Sequence, residues 1–514
     1  MGKTKLAKAA SIVMILTLIS KVIGFLRDIL IASTFGATYR TDAYNIALTI
    51  SDILFALFSL AIMTTFIPLL SETYKNKGKK EMFHFANNIM NILVIILTVL
   101  SLFCFIFAPN LVSIIAPKFT GEAYNLTVTL TYITIFNIIF MGITGGYNSI
   151  LQVLDDFTSP ALVGVMLNLP IILYILMGAK GGVIGLTIAT LFGNILKVVI
   201  QLPSLFKHGY RPKYALDLKD KRVNKMVYLL LPVIIGAGSN QINAIVDRMM
   251  ASGLAEGSIS SLNFASKISD VVYVTFATAI VTVIYPSLSR EGSSENFVQF
   301  KQYVSKAVNS ISLIMIPCCL GLIILSTPIV YLLFKHGVFD DRAVYMTSLA
   351  LIYFSIGLPF YGIRDVFNRA LYALNDTRTS TINGVIGVAI NIMLNLTLVR
   401  FIGLRGIALS TSISAIVCAF LLGNSLRKKI GGINGREVLK SSVKICTASF
   451  IMGVVVYITY YILVSNINGV KGILTGTLVS STVGIIIYFV ALMLMKLSEL
   501  NEFLDQVKVK LRGC

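Results

Sequence analysis

Lys21, Arg27 and Asp28 interrupt an otherwise apolar stretch, SKVIGFLRDILIASTFGATYRTD, over residues 20–42. A charge at mid-bilayer depth costs about 2.5–3.5 kcal/mol on insertion scales, unless it meets a partner or a water-filled cavity. The chemistry on offer is electrostatic, because Lys and Arg hold anionic oxygen and a guanidinium presents two parallel donors to a phosphate. One reading has the three charges lining a cavity. The other has Lys21 snorkelling to the interface and Arg27 paired with Asp28. Successive helical residues point about 100° apart, so the adjacent pair is expected to pair poorly and the cavity reading is preferred.

Other basic residues lie inside later apolar runs: Lys267, Arg364 and Arg369 are placed to line the same kind of cavity, with Arg27 the deepest. Snorkelling competes for Arg364 and Arg369, and Lys197 reads as a snorkelling residue. A second constellation is Asp247, Asn391, Asn395 and Thr411, with a backbone carbonyl near Ile407. Asn391 and Asn395 stand at i, i+4 on one helix face, and together these oxygens suit a hard cation such as Na+. Hydrogen bonding between helices by Asn and Thr is the alternative. No Walker A loop is present, and His84, His208 and His336 form no metal or nucleophile–base group, so no enzyme is read here and no cofactor is required. Asp155–Asp156 and Asn375–Asp376 read as turn and cap residues. The six cysteines show no metal-ligand spacing and read as small buried hydrophobes.

The elements that must carry these residues are membrane helices. Of 514 residues 56% are hydrophobic and 13% charged, and the mean hydropathy is +0.84. Apolar runs of about 20 residues fit helices, where a membrane barrel would alternate over about ten. An all-α integral membrane protein with fourteen spans is predicted, over 10–35, 43–71, 84–108, 126–151, 159–178, 183–206, 225–247, 262–288, 303–325, 343–373, 380–400, 406–426, 441–464 and 470–496. The basic start MGKTKLAK reads as the beginning of a retained first helix. With both termini inside, the outside loops hold only Arg40, Lys118, Lys180, Lys335, Arg342, Arg400, Arg405 and Lys471 out of 43 basic residues. The net charge of +20 therefore orients the chain and meets anionic lipid headgroups, and nucleic acid is not implied.

An internal repeat orders the spans. FIPLLSE at 66–72 matches IYPSLSR at 284–290, LQVLDDFTSP at 151–160 matches LYALNDTRTS at 371–380, and Gly142 matches Gly362. The implied organisation is two parallel six-helix lobes, 1–222 and 223–430, followed by two further helices and a short tail over 431–514. Such halves are a transporter architecture with the site between them. Pro68, Pro170, Pro232, Pro286 and Pro317 interrupt spans, and Gly142, Gly145 and Gly146 are expected to loosen the fourth helix.

The blocks SKVIGFLRDILIASTFGA, TDA at 41–43, FIPLLSE, SPALVGVMLNL at 159–169, DRMMAS at 247–252, LFKHGVFD at 333–340, RALYALNDTRTS at 369–380 and GLRGIALSTSISA at 403–415 resemble the MurJ/MviN family of lipid II flippases, within the multidrug/oligosaccharidyl-lipid/polysaccharide exporter superfamily. The resemblance runs over essentially the whole chain. It implies two lobes around a cationic cavity, a lipid-tail groove formed by the last two helices, and an undecaprenyl-diphosphate-linked saccharide-peptide as substrate. The family's cavity positions fall on Lys21, Arg27 and Asp28, on Asp42 at the start of the second helix, and on Lys267, with a basic position shifted to Arg364. Some members bind sodium at the positions matching Asp247, Asn391, Asn395, Ile407 and Thr411. The second-helix arginine pair of the family is replaced here by Asp52-Ile-Leu-Phe55-Ala56, and an acid by Ser266, which thins the cationic lining.

The implied activity is translocation of lipid II across a bacterial plasma membrane by alternating access, with cell-wall synthesis proteins as possible partners. Three other readings stay open at this point: a flippase for a different polyprenyl-linked glycan, a small-molecule cation antiporter, and a non-transporting scaffold. The missing arginines favour the first of these. The extra pair of helices and the basic lining speak against the second.

Overall fold

The computed structural model describes residues 3–292, 297–467 and 469–497, with side chains described except at 3–12, 57, 60–61, 227, 229–237 and 239–240. All regular structure among them is helical, as it must be where no water reaches the backbone and each N–H and C=O has to be satisfied within its own segment. Among the described residues eleven helices are long and apolar enough to cross a membrane. The chain divides into two compact units, the first made of 1–260 with 336–339, the second of 261–335 with 340–514.

The first unit opens with α1 (Lys3–Phe35) and α2 (Tyr39–Ala61), and a π-helical turn, Ile62–Phe66, links α2 to α3 (Ile67–Ile106). Two helical stretches of α3 meet at a kink at Gly78, whose φ 81° and ψ −179° are not helical. That break falls in the basic run Lys75–Lys80, which separates the predicted second and third spans. There follow α4 (Ala108–Ile115), α5 (Gly121–Thr134), α6 (Asn137–Val153), α7 (Thr158–Leu176), α8 (Gly182–Val199), α9 (Leu202–Lys207) and α10 (Lys221–Ser252). The predicted fourth span is thus broken by a turn at residues 135–136, between α5 and α6, and the sixth by one between α8 and α9.

The next helices are α11 (Ser258–Val272), a second π-helical turn Tyr273–Ala277, α12 (Thr278–Gly292), α13 (Phe297–Ile324), α14 (Ser326–Phe334), α15 (Asp341–Ala373), α16 (Thr377–Ile402), α17 (Leu404–Ile430), α18 (Gly435–Asn466) and α19 (Gly469–Leu494). In the second unit α15 packs on α17, α17 on α16, and α18 on both α13 and α19. The α18–α19 pair is fastened by a buried cluster that includes Leu325, Ile445, Met452, Val456 and Leu492. Within it the Tyr488 hydroxyl donates to the Leu313 carbonyl at 2.6 Å.

The repeat seen in the sequence returns as local conformation. Both copies have a short helix, α4 or α14, after the third helix of the copy, and each has a π-helical turn upstream of its matched proline, ending two residues before Pro68 and nine before Pro286. Asp155 at φ 58° and Asn375 at φ 56° take the same left-handed turn. The next residues do the expected capping: Asp156 accepts from the Thr158 N–H at 3.0 Å, and Asp376 from the Thr379 N–H at 3.0 Å. Asp376 also pairs with Lys429 at 2.5 Å, and this ammonium together with the Thr379 donors lowers its pKa to about 2. The carboxylate is charged in the fold well below the usual range near 4, so the stabilisation it gives is complete above about pH 4 and is lost as pH falls towards 2.

One expectation about flexibility is corrected. Pro170, Pro286 and Pro317 lie inside helices, Pro68 stands in the first turn of α3, and the side chain of Pro232 lies outside the described residues. Gly142 and Gly146 do not loosen their helix. A methyl group at either would meet Leu97 or Met90 of α3 at 2.1 Å, so the glycines allow close α3–α6 packing. The tightest such contact to rigid backbone in the first unit's α7–α8 pair is Gly193, where a Cβ would come 2.5 Å from the Leu167 carbonyl oxygen. At Gly384 on α16 nothing lies within 4 Å. Gly193→Ala is expected to destabilise by about 1–3 kcal/mol through overpacking, while Gly384→Ala stays neutral or gains up to about 1 kcal/mol of helix propensity. Thermal unfolding of the detergent-solubilised chain checks both, and equal midpoints for the two variants would be the contrary result.

Candidate functional site

In the first unit the site is built where α1 meets α7. Gly164 of α7 faces Ser20 so closely that a Cβ there would sit 2.0 Å from its hydroxyl oxygen, and a Cβ on Gly24 would meet the Asn168 amide at 3.3 Å. These small residues let the two backbones approach, and one turn further along α1 the Arg27 guanidinium reaches α7. Arg27 donates to Asn168 Oδ1 at 2.9 Å and to Asp28 Oδ1 at 2.7 and 3.0 Å. The adjacent pair therefore does form, contrary to the expectation from helical geometry. A guanidinium on a three-carbon stem curls round to its neighbour, and in a half-buried setting a carboxylate is too valuable a partner to forgo. Arg27 and Asp28 are 20% and 13% exposed, so water and a ligand can still reach them.

Further polar groups of the first unit lie on α2, α8 and α10. The hydroxyls of Tyr44 and Thr190 hydrogen-bond at 2.8 Å, and Tyr44 is in electrostatic contact with Arg27, Asp28 and Asp52. Lys197 donates to Asn194 Oδ1 at 2.9 Å, and Asn194 donates to Asn137 Oδ1 at 3.1 Å. Lys197 is thus drawn into the unit and is no snorkelling residue, because Asn194 and the field of Asp52 hold it there. Asp52 also acts on Arg27 and on Arg248 of α10. Lys21 is exposed on α1, six residues before Arg27.

Asp42 has a different setting. It is 3% exposed, and its carboxylate accepts from the Gly257 N–H at 2.8 Å, the Ser260 N–H at 2.7 Å and the Ser260 hydroxyl at 2.5 Å. A carboxylate at the start of α11 completes the unsatisfied N–H groups of that helix end and suits its dipole. Gly257 can come this close because it has φ 81° and no side chain, which would otherwise strike the Ala37 carbonyl.

The second unit holds a cavity of about 250 Å³ between α11, α15 and α17, where Asp270, Tyr273, Tyr361, Arg364 and Thr411 reach the lining. Tyr273 donates to Asp365, and Arg364 lies 3.7 Å from Asp365 and against the Tyr361 ring. Lys267 is half-buried on α11 and in electrostatic contact with Asp270. Arg369 is exposed and stacks on Tyr285. Next to this cavity runs a chain of oxygens and amides: Asn395 donates to Asn391 Oδ1 at 2.8 Å, Asn391 to Thr411 Oγ1 at 3.4 Å, and Thr411 to the Ile407 carbonyl at 3.0 Å. The structure thus brings four of the five residues of the second constellation together. Asp247 belongs to the first unit, where Asn243 reaches it at 3.5 Å. No group of three or more His, Cys, Asp or Glu residues is placed to hold a metal among the described residues.

The profile of the family described as "Lipid II flippase MurJ" matches residues 31–496. This chain is a member of the MurJ family. It is 31% identical over 446 residues to a lipid II flippase MurJ of Thermosipho africanus, covering 87% of this chain and 89% of the relative. It is 30% identical over 446 residues to a probable lipid II flippase MurJ of Vibrio cholerae, covering 82% and 83%. A solved structure described as lipid II flippase MurJ in an inward closed conformation superposes with a TM-score of 0.80 at 28% identity, over 94% of this chain and 98% of that one. An inward-facing multidrug resistance MATE transporter of the MOP superfamily matches with a TM-score of 0.67 at 15% identity, which is likeness of fold alone. The MurJ membership and the apolar helices together make this a multi-pass membrane protein.

In this MurJ chain the residues that reading the sequence missed are Asn168, Asn194, Arg248 and the inward setting of Lys197. Asn168 and the DRMMAS arginine stood inside quoted motifs without a role. The available signal was polarity inside an apolar run, which Asn168, Asn194 and Asp52 all carry. Hydrogen bonds to a charged group contribute about 1.5–3 kcal/mol. Asn168→Leu is therefore expected to lower activity at least tenfold in a strain depleted of its own flippase, while Asn168→Asp, which keeps the acceptor, retains most of it. Membrane levels measured by immunoblot separate this from failed insertion.

Proposed function

We infer that this chain is a lipid II flippase of the bacterial plasma membrane, moving the undecaprenyl-diphosphate-linked precursor from the inner to the outer leaflet. The observation that carries this is the family match over 31–496, together with a half-buried guanidinium at Arg27 that anionic oxygen can approach. A diphosphate brings roughly two negative charges, and Arg27 has the geometry to accept it in place of Asp28. Lys21 extends the cationic face of α1, and Lys267 and Arg364 are assigned to the same headgroup on sequence grounds. Asp28 and Asp42 keep the roles of counter-ion and helix-end anchor in the same substrate-binding region.

Fourteen spans with both termini cytoplasmic are kept as the topology. The eleven long apolar helices are joined by α1, α2 and α10, of 33, 23 and 32 residues, and the distribution of Lys and Arg orients them. The lobes follow the sequence repeat, 1–222 and 223–430, with α18 and α19 offering a groove to the lipid tail. Rocking of the lobes exposes the site alternately, driven by membrane potential or a cation. No bond is made or broken, so the chain acts as a carrier and not an enzyme.

A Na+ ion fits the neutral oxygens of Asn391, Asn395, Thr411 and the Ile407 carbonyl, which stand within hydrogen-bond reach of each other. Asp247 is included in this donor set on sequence grounds alone. Such an ion would supply a charge whose gradient biases the two states. The partners are lipid II, anionic lipids and proteins of cell-wall synthesis.

The test is rescue of a bacterium depleted of its lipid II flippase, scoring lipid II exposed at the cell surface. Rescue by the wild type that is abolished in Arg27→Ala, at equal membrane level, is the expected result. A correctly inserted wild type that exposes no lipid II would redirect the assignment to another polyprenyl-linked glycan.

A further inference from the structure

The segment joining α9 to α10, residues 208–220, is an extended strap fastened along one edge to α3. Asn87 donates to the Arg211 carbonyl at 3.2 Å and accepts from the Lys213 N–H at 3.1 Å. Asn88 donates to the Asp217 carbonyl at 2.8 Å and accepts from the Asp217 N–H at 2.7 Å. Asn91 donates to the carbonyls of Lys213 at 2.8 Å and Ala215 at 3.1 Å. Tyr210, 1% exposed, locks the start of the strap with edge contacts to the rings of Phe83 and Tyr147. Fastened in this way, the strap still leaves three large apolar side chains exposed. They are Tyr214, Leu216 and Leu218, exposed by 82%, 42% and 62%.

Three large apolar side chains in a row, on a strap this well fastened, need an apolar partner. The depth of the strap says which. Asn87, Asn88 and Asn91 stand immediately before the apolar run 92–106 of α3, so the strap lies at the membrane–water boundary. Beside it is a cavity of about 240 Å³ whose lining includes the polar Asn91, Lys213 and Tyr214 and the apolar Met90, Val94 and Ile143. Val94 lies about two helical turns past Asn87, and Ile143 lies about a turn inside Tyr147 on α6. Val94 and Ile143 therefore lie on the hydrocarbon side of the strap.

The strap is also cationic. Arg211, Lys213 and Lys219, with Lys221 just beyond, are exposed and outnumber the strap's carboxylates, Asp217 and Asp220. Asp220 pairs with Arg222 at 2.6 Å, and Asp217 accepts from the Lys219 N–H at 2.8 Å. We propose that the strap and its cavity bind an anionic phospholipid of the leaflet they face, with Arg211 and Lys213 on the phosphate, an acyl chain along Met90, Val94 and Ile143, and Tyr214 and Leu216 in the headgroup layer. This site is separate from the Arg27 pair and does not depend on which glycan is carried. It anchors the connection to α10 at a fixed depth.

The chain has no tryptophan, so Tyr214→Trp places a single fluorophore at the mouth of the cavity. The full-length variant is reconstituted in nanodiscs doped with brominated phosphatidylglycerol or brominated phosphatidylcholine at equal mole fraction. Quenching at roughly thirtyfold lower content of the anionic lipid is expected, since Arg211 and Lys213 each contribute about 1 kcal/mol toward an anionic lipid, and Lys213→Glu in the same background, whose new charge opposes Arg211, should remove the preference. The Lys213 backbone still bonds to Asn87 and Asn91 in that variant, so the strap keeps its place, and an unchanged emission maximum in phosphatidylcholine checks it. Equal quenching by both lipids, no quenching by either, or displacement by millimolar inorganic phosphate would each overturn the proposal.

Discussion

A guanidinium carried into an apolar span must find partners there, and the first unit is arranged around meeting that demand at Arg27. Asp28 neutralises it and Asn168 takes a remaining donor. The second contact exists only because Gly24 and Gly164 let α1 and α7 come close. From this centre polar groups spread to α2 and α8, through Tyr44, Thr190, Asn194 and Lys197. Each is expensive alone in a membrane and tolerable as a member of a network.

Buried ion pairs are weak sources of stability, because desolvation offsets most of their attraction. Under the proposed function their persistence is accounted for by exchange: a cation already half-neutralised by Asp28 would hold an incoming diphosphate less tightly than a bare one, and a carrier must release what it binds. The same logic applies to Asn391, Asn395 and Thr411, whose neutral oxygens satisfy one another and could be recruited by a monovalent ion without leaving a charge stranded in its absence.

The two copies of the repeat share local devices and differ in polar content. The π-helical turns, the left-handed residues Asp155 and Asn375, and the capping acids Asp156 and Asp376 recur because each solves a backbone problem that any such hairpin of helices has. Their outer partners have already diverged, since Asp156 reaches Ser204 and His208 while Asp376 pairs with Lys429. The side chains facing inward differ most: the first unit gathers cations and amides around Arg27, and the second combines Asp270, Arg364 and tyrosines around a cavity. Duplication preserved what holds helices up and left the lining free to change.

Hydropathy, the alternation of basic loops, the repeat and the family blocks are properties of the linear chain, and they were enough for the helical class, the membrane setting and the family. Turn and cap residues were legible too, because Asp156 and Asp376 act on N–H groups two or three residues away. What the linear chain could not express was which polar residue meets which. Arg27 and Asn168 are 141 positions apart, Asp42 and Ser260 are 218, and Asn88 and Asp217 are 129. Such contacts depend on the rotation and separation of packed helices, which glycines and side-chain volume set only after the chain has folded. For that reason the sequence determined that charge would be buried in the first helix. Only the tertiary structure decided that Asp28 and Asn168 would hold it, that Lys197 would turn inward, and that Asp42 would anchor a helix end.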